Sequence, residues 1–421
     1  MKNQSSSPFT SYQKIALAIL AFTQFTVILD FMVISPLGDF LMKSLSLKPS
    51  QFGVAVSVYA FSAGASGLLT AGFADKFDRK KLLLFFYIGF IAGTVLCGLS
   101  HSYLMLMIAR LITGLFGGVI GSISLAILTD LFSIDQRGRA MGFIQMGFSA
   151  SQVLGIPIGI YLANLWGWQS AFLMVAGIAM VIAILIILKL KPVTKHLSMQ
   201  QQYSAFKHLY QTIAKRNYRI GFTATAFLSV GGFMMMPFGS AFAINNLGVS
   251  PQQLTILFMS SGIASLIIMP LVGKLSDKMD KYKIYVIASL WMMIVVVAYT
   301  HLSVEPLWFI IMFNVLMMAG IFSRMIPATA LTTAIPDMQD RGAFMSINAS
   351  LQQIAGGIAA AVAGMIVTQK DKHSPLQHYD ILGYVMVGIS IVAIILLYRV
   401  NEMIKNKRSK PPVEAVQEIA V

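Results

Sequence analysis

The sequence predicts an all-α integral membrane protein in which twelve transmembrane helices form two pseudo-symmetric six-helix bundles. Three observations carry that expectation. First, 57% of the 421 residues are hydrophobic and only 11% charged, and a mean hydropathy of +0.76 leaves too little polar surface to face water on all sides. Second, the chain divides into twelve apolar stretches, each long enough for a hydrocarbon core of about 30 Å, which takes roughly 20 helical residues to cross. Third, the charge pattern that follows the second stretch returns after the eighth, as in a duplicated unit.

The predicted spans are 15–40, 51–73, 82–100, 103–130, 139–163, 169–189, 218–245, 252–273, 284–301, 306–334, 343–368 and 379–399. Gly and Pro interrupt several of them, whereas barrel strands would show alternating runs of about ten residues, so helices are the reading that remains. The first span follows Lys14, is too long for a signal-peptide core and has no small-residue cleavage site behind it, so it is expected to stay in the mature protein. The expected organisation is a bundle over 1–190, a linker over 191–217, a second bundle over 218–400 and a cytoplasmic tail over 401–421.

Twelve spans place both termini on one side. Of the 31 Lys and Arg, only Lys43, Lys48, Lys370 and Lys372 lie in loops of the opposite side, and Arg110 and Arg324 lie within spans. The rest crowd the terminal side, which the positive-inside rule makes cytoplasmic, in a cell (inner) membrane. The net charge of +15 is thereby a topology signal, and no nucleic-acid partner is expected. In the linker, Tyr203, Phe206, Leu209, Tyr210 and Ile213 recur at helical spacing between Lys207, His208 and Lys215, the pattern of an amphipathic helix on the membrane surface. The stretch from Lys405 has two prolines and no period, and reads as a mobile tail.

The repeated loop reads Asp75-Lys76-Phe77-Asp78-Arg79-Lys80-Lys81 in the first half and Asp277-Lys278-Met279-Asp280-Lys281-Tyr282-Lys283 in the second. Arg137-Gly138 after the fourth span and Arg341-Gly342 after the tenth repeat in the same way. Gly72 lets a helix end close to its neighbour, and Asp75 can meet the positive end of a facing helix. Arg79, Lys80 and Lys81 either pair across a moving interface, as a latch between the halves with Asp277 as its weaker copy, or only set topology. Gly114, Gly117, Gly118, Gly121, Gly155 and Gly159 permit close helix approach, and Gly155, Pro157 and Gly159 read equally as tight packing or as a gating bend.

On these residues the chain resembles the major facilitator superfamily over nearly its whole length. The family's loop signature after the second helix is similar to Gly72 through Lys80, with the Gly-to-Asp interval one residue shorter and Asp78 where Gly is usual. Arg110-Leu111-Ile112-Thr113-Gly114-Leu115-Phe116-Gly117-Gly118 resembles the Arg and Gly-rich face of the family's fourth helix. Gly155-Ile156-Pro157-Ile158-Gly159, followed by Gly167 through Phe172, looks like the drug and sugar efflux permease branch, although Ile156 stands where Gly usually precedes the Pro. The resemblance implies two rocking bundles and gives Arg110 a part in proton coupling.

Ionisable groups inside the membrane are costly unless they pair or face a wet cavity, which makes them site candidates. Asp30 lies roughly 24 Å along the first helix from Lys14, still within the membrane, and can alternate between protonated and ionised forms as a cavity opens to either side. It reads as the proton-coupling carboxylate, or as a permanently paired structural one bonded to Arg110. Arg110 either tunes that carboxylate or snorkels. Arg324, three residues before Pro327, is too deep to snorkel easily, and reads as a substrate contact for a carboxylate, phosphate or hydroxyl-rich face, or as half of an ion pair with the other bundle. Gln24, Tyr59, Gln145, Gln152, Asn245, Asn314, Asn348, Gln352 and Gln353 give a weaker map of a substrate cavity. The many Met and Phe residues suggest a cavity able to repack around several ligands.

Other chemistries lack their signatures. Cys97 is the single cysteine, no phosphate-binding loop or nucleophile elbow occurs, and the six His residues show no metal spacing. No cofactor, metal or enzymatic activity is expected. The expectation is a monomeric secondary active transporter that exchanges protons for a small organic solute, a drug-like compound, sugar or related metabolite, in the export direction. A proton-coupled uptake symporter, a facilitator and a transporter-like receptor are the alternatives.

Overall fold

A computed structural model describes residues 8–70, 76–194, 197 and 205–409. The helices are α1 (Ser11–Val33), α2 (Gly38–Ser44), α3 (Pro49–Thr70), α4 (Arg79–Gly98), α5 (Tyr103–Leu131), α6 (Ile134–Ala150), α7 (Ile156–Trp166), α8 (Gln169–Lys189), α9 (Ala205–Ala214), α10 (Arg216–Phe233), α11 (Gly239–Asn245), α12 (Pro251–Lys278), α13 (Lys281–Thr300), α14 (Leu307–Thr332), α15 (Arg341–Ile366) and α16 (Tyr379–Ser409). Twelve segments are long and apolar enough to span a membrane, α6 joining α7 and α10 joining α11 in single spans. Among the described residues the β-structure is one isolated bridge, Thr368 to Gln377.

The helix starts follow from local chemistry. Thr10 and Gln13 form a reciprocal capping box at α1, and Ser250 and Gln253 form another at α12. Asp78 and Asp280, the matching positions of the repeated loop, have the same backbone conformation and cap α4 and α13. The repeat in sequence is thus in part a repeat of one N-cap.

Span breaks are repeated too. The first span stops at Val33 and resumes as α2, and the seventh stops at Phe233, passes through a 3₁₀ turn at Met236–Phe238 and resumes as α11. Pro36 and Pro237 lie in these breaks, where each removes a backbone donor. The two breaks meet on the side away from the termini. Ser240 Oγ donates to Ser35 O at 2.9 Å, Ser35 Oγ donates to Met236 O, and Asn245 Nδ2 donates to Asp39 Oδ1 at 2.7 Å. Further links lie on the same side of the midplane: Ser57 Oγ to Gly357 O at 2.7 Å, Asn164 Nδ2 to Pro251 O at 3.0 Å and Lys372 Nζ to Lys43 O at 3.3 Å. Between α3 and α15 the backbones touch, since a Cβ on Gly53 would lie 2.6 Å from Ala360 O and 3.0 Å from Gly364 Cα. The larger apolar core runs through the first bundle and the far-side part of the second, and a separate core fills the second bundle's terminal side. This state is closed toward the far side.

The linker helix α9 docks on the second bundle. Leu209 is buried there, while Tyr210 and Ile213 are exposed. Tyr203 lies outside the described residues, as does the chain from residue 410 on, and α16 continues past 400 to Ser409. Asp340, in the turn before α15, holds the linker: it accepts from His208 Nε2 at 3.0 Å, from Tyr218 Oη at 2.7 Å and from Lys215 Nζ. These donors hold its carboxyl well below the usual range, at about 2, with Lys215 the largest cause. Lys407 holds the neighbouring Asp337 below its ordinary value in the same way. A depressed folded-state value means that the docking energy is present above the ordinary carboxylate range and is lost as pH falls through about 2. Asp340→Asn is expected to cost about 1.5 kcal/mol, the low end for hydrogen bonds to a charged group, because His208 and Lys215 are themselves 42% and 44% exposed. Faster proteolytic cleavage of the linker at neutral pH, matching the wild type only in strong acid, is the readout.

Candidate functional site

The first bundle places its two intramembrane charges together. Arg110 Nη1 donates to Asp30 Oδ2 at 2.9 Å, and both side chains are 0% exposed. Thr94 Oγ1 donates to Asp30 Oδ1 at 3.1 Å. Arg110 Nη1 also donates to Asp30 O at 3.5 Å, and the Arg110 guanidinium lies over the Tyr59 ring at 4.3 Å and 6.0 Å from the Phe172 centroid, so aromatic faces add to the stabilisation of the cation. Its Nε and Nη2 have no hydrogen-bond partner. One contact of three possible nitrogens is therefore spent on the carboxylate. Helices α1, α3, α4, α5 and α8 all contribute, and α3 comes close because Gly114 of α5 lies where a Cβ would be 2.4 Å from Tyr59 O.

Asp30 is also one residue from the seam between bundles. The Phe31 ring packs on Tyr59 at 5.3 Å and on Phe233 of α10 at 5.8 Å. A cavity of about 20 Å³ lies beside it, lined by Phe31, Ser35, Ala60, Phe233, Met236 and Gly356 among others. One backbone link thus separates Asp30 from the contacts of the far-side closure.

The other predicted residues scatter. Tyr59, expected to line a cavity, is buried beneath Arg110, because the cation needs its face. Arg324 is buried with its guanidinium 5.7 Å from the Tyr285 ring, and among the described residues no carboxylate pairs with it, so the alternative of an ion pair with the other bundle is not seen. Asn314 is buried and accepts from Ser261 Oγ, and Asn348 is buried with Oδ1 unpartnered. Gln24 is half-buried beside Gly121, Gln152 is half-buried with Nε2 3.7 Å from Met32 Sδ, and Gln145 and Gln352 are exposed. Gly72 and Asp75 lie outside the described residues. Arg79 pairs with Asp130 at 2.7 Å and Lys80 Nζ donates to Ile187 O at 2.9 Å, both contacts within the first bundle. Asp277 is exposed. At the expected bend, a π-helical turn spans Ser151–Gly155 ahead of Pro157. Added Cβ atoms would lie 2.6 Å from Leu29 at Gly155 and 3.0 Å from Val33 at Gly159, so bend and tight packing coincide.

Sequence reasoning missed Thr94, Phe172 and Asp39. Thr94 was visible as a hydroxyl within an apolar span, but nothing in the pattern points it at Asp30.

The Major Facilitator Superfamily model matches residues 20–242 and 221–420. The chain belongs to that superfamily. It is 25% identical to an uncharacterized MFS-type transporter of Bacillus subtilis (strain 168), over 90% of this chain and 95% of that one. It is 23% identical to a probable sugar efflux transporter of Mannheimia succiniciproducens, over 92% and 94% of the two chains. Its fold matches a bacterial homolog of the human lysosomal transporter Spinster with a TM-score of 0.77 at 16% identity, over 96% of this chain and the whole of that one. A D-xylose-proton symporter matches with a TM-score of 0.75 at 16% identity, over 92% and 98%. The protein is therefore a membrane transporter of small solutes, not an enzyme.

Proposed function

We propose that this protein exports a small organic solute, a drug-like compound, sugar or related metabolite, in exchange for protons across the cell (inner) membrane, as a monomer with both termini in the cytoplasm. The observation that carries the reading is the buried Asp30–Arg110 pair, one residue from the far-side closure. Protonating Asp30 removes the charge that compensates Arg110, and a buried uncompensated cation costs several kcal/mol. On this reading the closed state holds the pair in its ionised form. A far-side-open state that admits a proton therefore differs from it in proton affinity, which is the differential that drives a coupled cycle. The name of the Mannheimia relative favours export and sugar-like solutes, and the crowding of Lys and Arg on the terminal side favours cytoplasmic termini. Gln24, Gln152, Asn348 and the π-turn before Pro157 fit a path between the bundles that reshapes as they rock.

The test is purified protein in liposomes with a trapped pH dye, challenged with lipophilic cations, sugars, amino acids and organic acids. Export by antiport predicts proton flux opposite to solute flux. Flux in the same direction would make it a symporter, and solute movement without proton movement would make it a facilitator; either result overturns the antiport reading.

A further inference from the structure

The second bundle contains a buried guanidinium with no acid of its own, and the orphaned polar atoms around it form a layer. Among the described residues, Arg324 Nε and Nη2, Tyr285 Oη, Ser289 Oγ, Thr225 Oγ1, Asn348 Oδ1 and Ser390 Oγ are all buried without a hydrogen-bond partner. Helix register brings them to one depth. Antiparallel α13 and α14 touch at Met292 and Gly320, which sets Arg324, one turn on, level with Ser289 and a turn from Tyr285. Antiparallel α13 and α16 touch at Thr300 and Gly383, and the Tyr282 ring packs tilted against Tyr398, so Ser390 falls within a turn of Ser289. Parallel α10 and α15 meet at Phe222 and Phe344, one turn before Thr225 and Asn348.

Such atoms are rarely left unpaired in a folded protein, and a buried cation without a counter-charge is more costly still. The first bundle meets that requirement with Asp30. Here the donors available are the guanidinium fork and three or more hydroxyls, a set that suits a compact anion and no cation. We propose that the second bundle binds a small anion at Arg324, with Ser289, Tyr285 and Ser390 as its hydroxyl donors. The anion is either an acidic group of the transported solute or a free inorganic ion such as chloride or phosphate. Binding does not depend on the direction or coupling of transport, so failure here leaves the exchange reading intact.

The experiment compares thermal unfolding of the detergent-purified protein in sodium chloride, phosphate, sulfate, acetate and gluconate at equal ionic strength, for wild type, Arg324→Gln, Arg324→Lys and Ser289→Ala. The expected result is a saturable rise of a few degrees for at least one compact anion over gluconate in wild type. The rise should disappear in Arg324→Gln, weaken in Ser289→Ala and survive in part in Arg324→Lys. If Arg324→Gln does not fold, the wild-type and Ser289→Ala titrations carry the test. A wild-type midpoint indifferent to the anion, or a full response in Arg324→Gln, overturns the proposal. In liposomes, competition between the effective inorganic anion and an acidic solute assigns the site to the solute's acidic group, while a requirement for that anion without competition assigns it to a resident ion.

Discussion

Asp30→Asn is expected to give a folded protein in which solute movement no longer drives any proton movement. The amide keeps the shape of the carboxyl and can still accept from Thr94, so the geometry around α1 and α4 survives. What it removes is the exchangeable proton and the negative charge opposite Arg110. Removing one partner of a buried pair typically costs about 3–5 kcal/mol, and the Tyr59 face at 4.3 Å offsets part of that. The double variant Asp30→Asn, Arg110→Gln should recover most of the lost thermal stability, because two neutral amides can bond each other, yet should stay uncoupled. Recovery of stability without recovery of coupling separates a proton carrier from a structural strut. Full coupling in Asp30→Asn would make the pair purely structural and send the search for the carrier elsewhere.

Gly53→Val should hold the protein open toward the far side. A Cβ at Gly53 would meet Ala360 O at 2.6 Å and Gly364 Cα at 3.0 Å, and both are backbone atoms of the opposite bundle. Neither can turn away as a side-chain end could, so α3 and α15 must separate. Overpacking of this kind costs about 1–3 kcal/mol, and at about 1.4 kcal/mol per decade the closed population falls roughly five- to a hundredfold. A cysteine introduced at Ala60, beside the small cavity at the seam, reports the change in a Cys97→Ser background. Labelling by an impermeant thiol reagent from the far side should rise strongly and transport should fall by a similar factor. Unchanged labelling would mean that the contact between α3 and α15 does not govern closure.

The architecture was legible because its signals are large. Span length, the asymmetry of Lys and Arg and the repeated Asp78 and Asp280 positions are each written directly in residue order. The two charges of the first bundle were legible for the same reason, since a lone Asp or Arg in an apolar span has few innocent explanations. Their surroundings were not. In a soluble helix the polar face marks the outside, but here lipid and core are both apolar, so nothing in the pattern separated Tyr59 under Arg110 from Gln352 on the surface. The same limit hid the donors around Arg324, where Ser289 and Ser390 look like ordinary small residues. The basic loop hid its partner in a different way. Arg79 finds Asp130 at the end of α5, a partner fifty-one positions along the chain that no local spacing announces.

The paired breaks at Pro36 and Pro237 also order the making of the protein. Synthesis delivers the first bundle well before the seventh span, and domains tend to fold in that order. Until α10 and α11 arrive, Ser35 O lacks the hydroxyl of Ser240 and Asp39 lacks the amide of Asn245. The far-side ends of α1 and α2 thus wait as an unfinished joint, and the seal between the bundles cannot begin to set until the second of them emerges.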